Sequence, residues 1–311
     1  MPSIVFMGTP EFAVPSLKAL LEAGFDVPLL VCQPDRKKDR GHKIQFPPTK
    51  DLALEYNVEV YQPESIRSPE AIAKLSAFTV DFFVVIAYGK ILPPDVLNIP
   101  GKACINTHAS LLPKWRGAAP IQFSILHGDK ETGVCTMLMD VGMDTGDILL
   151  TRKTNITADE KVDALSDRLA SMGADLIVET INRFDELTPV KQDHERATYA
   201  RLLKKEDRFI DWSQNAHQVY CHFRAMSPSP GVVTFFRGKR LLLKSMEHRV
   251  HSISISSNPG EITAIENDRF SVACGNGFVD IISCQPENKK ELLARDFING
   301  FQLKIGDVFK R

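Results

Sequence analysis

An asparagine and a histidine stand two residues apart near the end of a strand-like stretch, and together they suit carbonyl chemistry. They are Asn106 and His108, within residues 104–122, CINTHASLLPKWRGAAPIQ. On an extended backbone, side chains two apart point to the same side. An amide donor beside an imidazole can stabilise the oxyanion that forms when a nucleophile adds to a carbonyl, and the imidazole can hold or pass a proton. The spacing alone leaves open that Asn106 satisfies a turn and His108 packs in the core.

A carboxylate that can serve this histidine lies in residues 139–150, MDVGMDTGDILL, where aspartates and glycines follow an apolar strand. Asp144 is in the middle of the predicted turn. From there it can reach His108, orient the ring and raise its basicity, the role that a carboxylate plays toward a catalytic imidazole. The alternative is a surface turn capped by its own aspartates.

Several other chemistries lack their motifs. The sequence contains no GxxxxGK[ST] phosphate loop, no GxGxxG after the first strand, no HExxH and no GxSxG elbow. These absences favour a loop role for Ser110 over the alternative of a serine nucleophile. The six cysteines form no CxxC or Cys/His pattern, so we expect reduced core thiols and no metal; they are Cys32, Cys104, Cys135, Cys221, Cys274 and Cys284.

The elements that must position these residues alternate between strand and helix, which favours a Rossmann-like, doubly wound, mostly parallel sheet. Ligands bind at the carboxyl ends of such strands, where residues 106 and 108 emerge. The predicted strands are 3–7, 27–32, 58–61, 81–87, 103–107, 133–140 and 147–153, and the predicted helices are 15–23, 49–56, 68–78, 118–126 and 158–184.

The last third of the chain has a different pattern. Residues 187–208 are polar and without periodicity, as expected of a connection between domains. Short strands separated by turn signals follow, which predicts a small β-barrel of the oligonucleotide-binding (OB) kind. The predicted strands are 232–236, 240–246, 252–256, 261–265, 270–273 and 278–283. We therefore expect a catalytic domain over 1–188, a linker over 189–208 and a C-terminal β-barrel over 209–311.

Charge is divided between these parts, although the whole 311-residue chain carries a net charge of only −1. Residues 1–188 have 19 Lys and Arg against 25 Asp and Glu, whereas residues 189–311 have 19 against 14. The positive C-terminal part indicates a polyanionic partner, with a mixed solvated surface as the alternative. Because no signal peptide or membrane span is apparent, we expect a cytoplasmic protein, and a monomer.

The combined motifs resemble the folate-dependent formyltransferases. The resemblance rests on Asn106-x-His108-x-Ser110-Leu111-Leu112-Pro113, then Gly117-Ala118-Ala119-Pro120, then Asp140-x-Gly142-x-Asp144-x-Gly146. Within that group the chain is similar, over essentially its whole length, to the branch that acts on methionyl-tRNA, in segments 4–17, 33–43, 84–93, 105–122 and 201–212. Two residues depart from the pattern: Ala109 stands where glycine is frequent and Lys114 where arginine is usual.

The resemblance implies that Asn106, His108 and Asp144 are catalytic, that 10-formyltetrahydrofolate is the formyl donor, and that initiator methionyl-tRNA is the acceptor. It also implies folate contacts from Ser110, Leu111, Leu112 and Pro113, and a pteridine slot near Tyr88, Ile91 and Leu92.

A basic loop supports the tRNA partner independently, because about fifteen residues separate a strand from a helix where two to six are usual. By resemblance this loop enters the acceptor end of the tRNA. The predicted tRNA contacts are Arg36, Lys37, Lys38, Arg40, Lys43, Lys204, Lys205, Arg208, Lys239 and Arg240.

Two rival functions remain at this stage. One is a formyltransferase that acts on an amino sugar nucleotide, for which the basic loop has no evident use. The other is a folate-binding or RNA-binding module without catalysis, against which the intact Asn106, His108 and Asp144 argue.

Overall fold

A computed structural model describes residues 1–37, 44–248 and 257–310. Lys38, Arg40 and Lys43 lie outside the described residues, as does a strand predicted over 252–256. By contacts the chain divides into two units: unit 1 is 1–120, 131–155 and 166–201, and unit 2 is 121–130, 156–165 and 202–311.

The strands of unit 1 are β1 Ser3–Gly8, β2 Asp26–Val31, β3 Arg36–Lys37, β4 Ile44–Gln45, β5 Glu59–Tyr61, β6 Phe82–Ile86, β7 Ala103–His108, β8 Arg116–Gly117, β9 Glu131–Leu138, β10 Ile148–Asn155 and β11 Tyr199–Ala200. The helices up to residue 182 are α1 Val14–Glu22, α2 Pro48–Glu55, α3 Pro69–Ser76, α4 Pro94–Leu97, α5 Pro120–Leu126 and α6 Val162–Asn182. Short 3-10 helices cover Glu11–Ala13, Phe184–Glu186, His194–Arg196 and Lys205–Arg208.

A seven-stranded sheet in the order β10-β9-β7-β6-β1-β2-β5 forms the centre of unit 1. Its strands β7, β6, β1, β2 and β5 are parallel, whereas β9 is antiparallel to both β7 and β10. Both faces are covered by apolar clusters, one containing Phe6, Leu17 and Phe82 and the other containing Met7 and Phe83. The predicted Rossmann-like, mostly parallel sheet is confirmed.

Local signals explain where the helices of this unit begin. The Ser68 hydroxyl accepts a hydrogen bond from the Ala71 N–H at 3.1 Å, and Pro69 occupies the first turn of α3. The long amphipathic helix predicted over 158–184 is α6, Val162–Asn182.

Unit 2 contains α7 Ala216–Met226, β12 Val232–Phe236, β13 Lys239–Glu247, β14 Ile262–Ile265, β15 Phe270–Ala273, β16 Phe278–Pro286, β17 Leu292–Leu293, α8 Ala294–Phe301 and β18 Phe309–Lys310. Its antiparallel sheet runs β14-β15-β16-β13-β12-β18, with β17 paired to β16. A bridge between Glu261 and Val308 joins the two edges, so the sheet curls into the predicted small barrel. Phe270, Phe297 and Phe309 pack inside it.

Among the described residues, no helix combines the length and the apolar character that a bilayer crossing requires.

Candidate active site

His108 is the last residue of β7 and its ring is held from both sides. The side chain is almost completely buried, and its Nε2 lies 2.9 Å from the backbone carbonyl oxygen of Trp115. A carbonyl oxygen can only accept, so Nε2 must donate and carry a hydrogen. The other ring nitrogen, Nδ1, lies 3.6 Å from Oδ2 of Asp144. The ring therefore presents Nδ1 to the carboxylate.

Asp144 holds its carboxylate between three groups. Oδ2 accepts a hydrogen bond from the Gly117 N–H at 2.7 Å, and Oδ1 lies 3.4 Å from the side-chain nitrogen of Asn106. Asn106 precedes His108 by two residues on β7, and both side chains reach the same carboxylate, as the spacing predicts. The structure thus brings together the amide, the imidazole and the carboxylate.

The turn that carries Asp144 is tightly constrained. Asp144 itself has a φ of +53°, a left-handed conformation that aspartate tolerates better than most residues. The Asp140 carboxylate accepts from the Gly142 N–H at 3.0 Å and from the Thr145 hydroxyl at 2.6 Å. A Cβ at Gly146 would lie 1.8 Å from the Leu138 carbonyl oxygen. Only glycine therefore fits where the turn closes against β9.

The four predicted folate contacts that follow β7, Ser110 to Pro113, are buried or partly buried. Ser110 is fully buried and its hydroxyl donates to the Lys114 carbonyl, which closes a turn just after β7. Leu112 packs against Cys135 and Met137. Leu111 and Pro113, in the same turn, are partly buried.

Tyr88 and Leu92 are each 2% exposed, whereas Ile91 is 56% exposed. Burial raises the pKa of Tyr88 to about 12, so its phenol stays neutral. Ile91 lines a cleft of about 350 Å³ with residues 64–67 and 89–90. Of the predicted pteridine slot, only Ile91 thus offers substantial exposed apolar surface.

The predicted tRNA contacts lie on two parts of the chain. Arg36 and Lys37 form β3, which pairs in an antiparallel manner with β4. The other predicted contacts within the described residues belong to unit 2, where Lys204, Lys205, Lys239 and Arg240 are exposed and the Arg208 Nε donates to the Gly231 carbonyl at 3.1 Å.

Two residues near Asp144 escaped sequence reasoning. Arg116 is 1% exposed and Gln192 is 6% exposed, and the two are hydrogen bonded to each other. Gln192 also donates to the backbone of the Asp144 turn. The sequence offers one clue to Arg116, which is the only charged residue within Trp115–Ala119. Nothing in the sequence marks Gln192.

Within the described ranges, no group of three or more His, Cys, Asp or Glu side chains is placed to hold a metal ion.

Comparison with known proteins matches both parts of the chain to one family. Residues 1–181 match the family described as formyl transferase, and residues 202–302 match the family described as formyl transferase, C-terminal domain. A methionyl-tRNA formyltransferase of Citrifermentans bemidjiense is 48% identical over 307 residues, which cover 98% of this chain and 95% of that protein. The methionyl-tRNA formyltransferase of Clostridium novyi is 45% identical over 99% of both chains.

Solved structures share the fold at low sequence identity. An N-formyltransferase from Helicobacter canadensis, in complex with folinic acid and dTDP-3-aminofucose, superposes with a TM-score of 0.67 at 18% identity, covering 91% of this chain and 99% of that one. HypX from Aquifex aeolicus, in complex with tetrahydrofolic acid, gives a TM-score of 0.63 at 16% identity. That match covers 100% of this chain but only 50% of HypX, so this chain spans about half of its length.

Both halves of the chain match formyl transferase models, and its relatives share nearly half of its residues from end to end; the chain belongs to the methionyl-tRNA formyltransferase family.

Proposed function

We propose that the protein transfers the formyl group of 10-formyltetrahydrofolate to the α-amine of initiator methionyl-tRNA, giving N-formylmethionyl-tRNA for translation initiation. The convergence of Asn106, His108 and Asp144 within 3.6 Å carries this proposal, together with the family to which the chain belongs. Such a constellation suits acyl transfer to an amine, because it offers donors for an oxyanion and a route for a proton.

The reaction begins with attack by the neutral α-amine on the formyl carbon. The reference pKa of an α-amine, near 8, leaves a usable unprotonated fraction at neutral pH. A carbon–nitrogen bond forms and the formyl oxygen becomes an oxyanion, which Asn106 and His108 stabilise. Asp144 orients His108 and helps route the amine proton, directly or through water. The intermediate then collapses: the bond to N10 of the folate breaks, N10 takes up a proton, and the formamide and tetrahydrofolate leave.

The folate donor is assigned to the loop after β7 and to the neighbouring cleft. Ser110 to Pro113 would contact the folate, and Tyr88, Ile91 and Leu92 would border the pteridine. The exposed Ile91 at the 350 Å³ cleft supports this position, because a flat heterocycle binds well against apolar surface.

The tRNA is assigned to basic residues on both parts of the chain. Arg36, Lys37, Lys38, Arg40 and Lys43 would serve the acceptor end, with Arg40 nearest a base. The exposed Lys204, Lys205, Lys239 and Arg240, with Arg208, would steer the tRNA body. We assign formyl transfer to residues 1–188 and tRNA binding to 209–311, with 189–208 connecting them, in a cytoplasmic monomer.

One assay separates this function from its rivals. The purified protein is incubated with 10-formyltetrahydrofolate and methionyl-initiator-tRNA, uncharged tRNA or a dTDP-amino sugar, and products are identified by mass. We expect formylation of the charged tRNA only. A formylated amino sugar would reassign the enzyme to nucleotide sugars, and binding of folate and tRNA without product would reduce it to a binding module.

A further inference from the structure

The Asp144 turn is held by groups outside it as well as by its own Asp140 hydrogen bonds. Asp144 has a φ of +53°, and a left-handed conformation in a residue with a side chain persists only where the surroundings over-determine it. Its carboxylate must also meet Gly117, Asn106 and His108 at once. A group outside the turn that fixes the backbone at residues 144–146 would therefore hold the carboxylate in this direction.

Gln192 supplies that fixation with a single side-chain amide. Its Nε2 donates to the carbonyl oxygen of Asp144 at 2.9 Å and to that of Gly146 at 2.7 Å. Both hydrogens of the amide are thus used on backbone carbonyls two residues apart, on either side of Thr145. The partners also set the orientation of the amide, because the opposite one would turn an acceptor toward two acceptors.

Arg116 fixes the other end of this amide. Its Nε and Nη2 lie 3.1 and 2.7 Å from the Gln192 Oε1, and Nη2 lies 3.1 Å from Nδ1 of His194. Arg116 is 1% exposed. Burying a cation against neutral acceptors costs free energy, so this arrangement is a poor choice for stability alone.

The segment around Gln192, residues 192–200, also supports the two backbone groups that contact the catalytic side chains. β11 pairs in parallel with β8, and the Arg116 N–H donates to the Thr198 carbonyl at 2.9 Å. β8 contains Gly117, whose N–H binds the Asp144 carboxylate, and Trp115, whose carbonyl accepts from His108, directly precedes it. Residues 192–200 therefore brace both partners of the His108–Asp144 pair.

We propose that Gln192, oriented by Arg116, is a positioning residue that sets the direction of the Asp144 carboxylate in formyl transfer. This inference rests on the proposed function and names a residue that acts through Asp144 without touching substrate. Residues 192–200, which the sequence predicts to be part of the linker between domains, would then help to position the catalytic side chains.

Gln192→Glu removes the donor role of the Gln192 side chain and keeps its acceptor role. The new carboxylate keeps an acceptor for Arg116 and adds an ion pair, so the anchor to the fold remains. It cannot donate to the carbonyls of Asp144 and Gly146, and it places a charge against them. We expect kcat to fall about 10- to 100-fold, since small misplacements of a catalytic group cost that much, with the KM values for folate and tRNA little changed. Gln192→Met, similar in length and without donors, is the second variant should the first fold poorly.

The test is a double-mutant cycle with Asp144→Asn, measured as kcat for formylation of charged initiator tRNA by the full chain. If Gln192 acts through the carboxylate, its substitution lowers kcat in the wild-type background and has little further effect once Asp144 is Asn. An unchanged kcat in the wild-type background overturns the proposal, and so does an equal loss in both backgrounds, which marks a merely structural role.

The matched control is Gln285→Glu in unit 2, whose amide also donates to a backbone carbonyl, that of Lys289, at 2.9 Å. It should leave kcat at the wild-type level. Failure of the wild-type protein to formylate the charged tRNA would refute the proposed function itself, an outcome distinct from a normal kcat in the Gln192 variants.

Discussion

Nε2 of His108 lies 2.9 Å from the backbone carbonyl oxygen of Trp115, and this contact leaves Nδ1 as the ring atom that faces Asp144. Since Nε2 must donate, a neutral ring carries its hydrogen there and has a free lone pair on Nδ1. Protonation at Nδ1 would turn the second nitrogen into a donor toward the carboxylate. The proton exchange that we propose is therefore assigned to Nδ1. Because both ring nitrogens face protein groups, His108 would stabilise the oxyanion through the positive charge of a ring protonated at Nδ1.

His108→Gln tests that assignment. A glutamine amide can still donate to the Trp115 carbonyl but offers no basic nitrogen at the position of Nδ1. We expect a melting temperature close to that of the wild type and a kcat at least about 100-fold lower, within the usual contribution of general acid–base catalysis. Calorimetry and steady-state kinetics measure the two quantities. A kcat near the wild-type value would show that the ring serves only as a donor from Nε2.

Asn106→Ala removes the proposed neutral donor to the oxyanion. In the best-studied case the loss of one such donor costs about 2.7–4 kcal/mol, so we expect kcat to fall by two to three orders of magnitude while KM stays similar. Asn182→Ala, at the exposed end of α6, is the control for the substitution itself. Equal kcat in the two variants would remove Asn106 from the mechanism.

Asp144→Ala should also lower kcat strongly while the fold survives, because His108 loses the group that orients Nδ1. Circular dichroism checks the fold and the formylation assay gives kcat. Near-normal turnover would exclude Asp144 from catalysis.

The exposed Lys204 and Lys205 should contribute to the salt dependence of tRNA binding. Each lysine that neutralises a phosphate contributes about one unit to the slope of log affinity against log salt, so Lys204→Ala and Lys205→Ala should each flatten the slope for KM of the tRNA. Lys74→Ala, which removes a lysine paired with Glu59 on unit 1, is the control. A wild-type KM that is the same at low and moderate salt would count against a phosphate contact.

An ion pair at the start of the basic loop should make stability depend on acidity. Nζ of Lys50 lies 2.7 Å from Oδ2 of Asp35, and this hydrogen bond, followed by one from Gln62, lowers the pKa of the Asp35 carboxyl. A lowered pKa in the folded state stabilises the protein above the unfolded value of about 3.9, and this stabilisation is lost as pH falls through the folded value.

Lys50→Met should therefore lower the free energy of unfolding at pH 7 by about 1–2 kcal/mol, and by progressively less as the pH falls below the unfolded pKa of about 3.9. Urea titrations across this range measure the difference between variant and wild type. A difference that does not change with pH would mean that the two side chains are uncoupled.

Most of the cysteines should be unreactive in the native protein. Burial raises the pKa of Cys32, Cys104, Cys274 and Cys284 to about 12, so almost no thiolate is present near neutrality. We expect an aromatic disulfide reagent to label these thiols only after denaturation, when all six cysteines should react. Rapid native labelling of any of the four would contradict their burial.

Much of the fold could be predicted because its elements carry local signals. The run Phe82–Ile86 is buried at every position and reads as a central strand, and the Ser68 cap marks the start of α3. Helix α8 was missed because Leu293 provides no side-chain cap and Gln302, rather than glycine, adopts the left-handed conformation at its end.

The candidate catalytic side chains could also be identified, because their types and spacing restrict the chemistry. The residues that hold them in place could not be identified from the sequence. Gln192 bonds to backbone carbonyls 46 and 48 residues away, and a backbone carbonyl belongs to every residue type, so no pattern in the sequence reports such a contact. The antiparallel pairing of β3 with β4 was likewise not predicted.

The pairing of β8 with β11 has a consequence for biosynthesis. Gly117, which binds the carboxylate through its N–H, has a φ of +112°, and a Cβ there would lie 2.7 Å from the Ala200 carbonyl oxygen. Among the described strands, Arg116–Gly117 pairs with β11 alone, so on the ribosome this pairing waits until residue 200 has been translated. The nascent chain therefore completes the braces of its catalytic pair more than eighty residues after His108, and a product that stops at residue 188 carries the reactive side chains without the strand that aligns them.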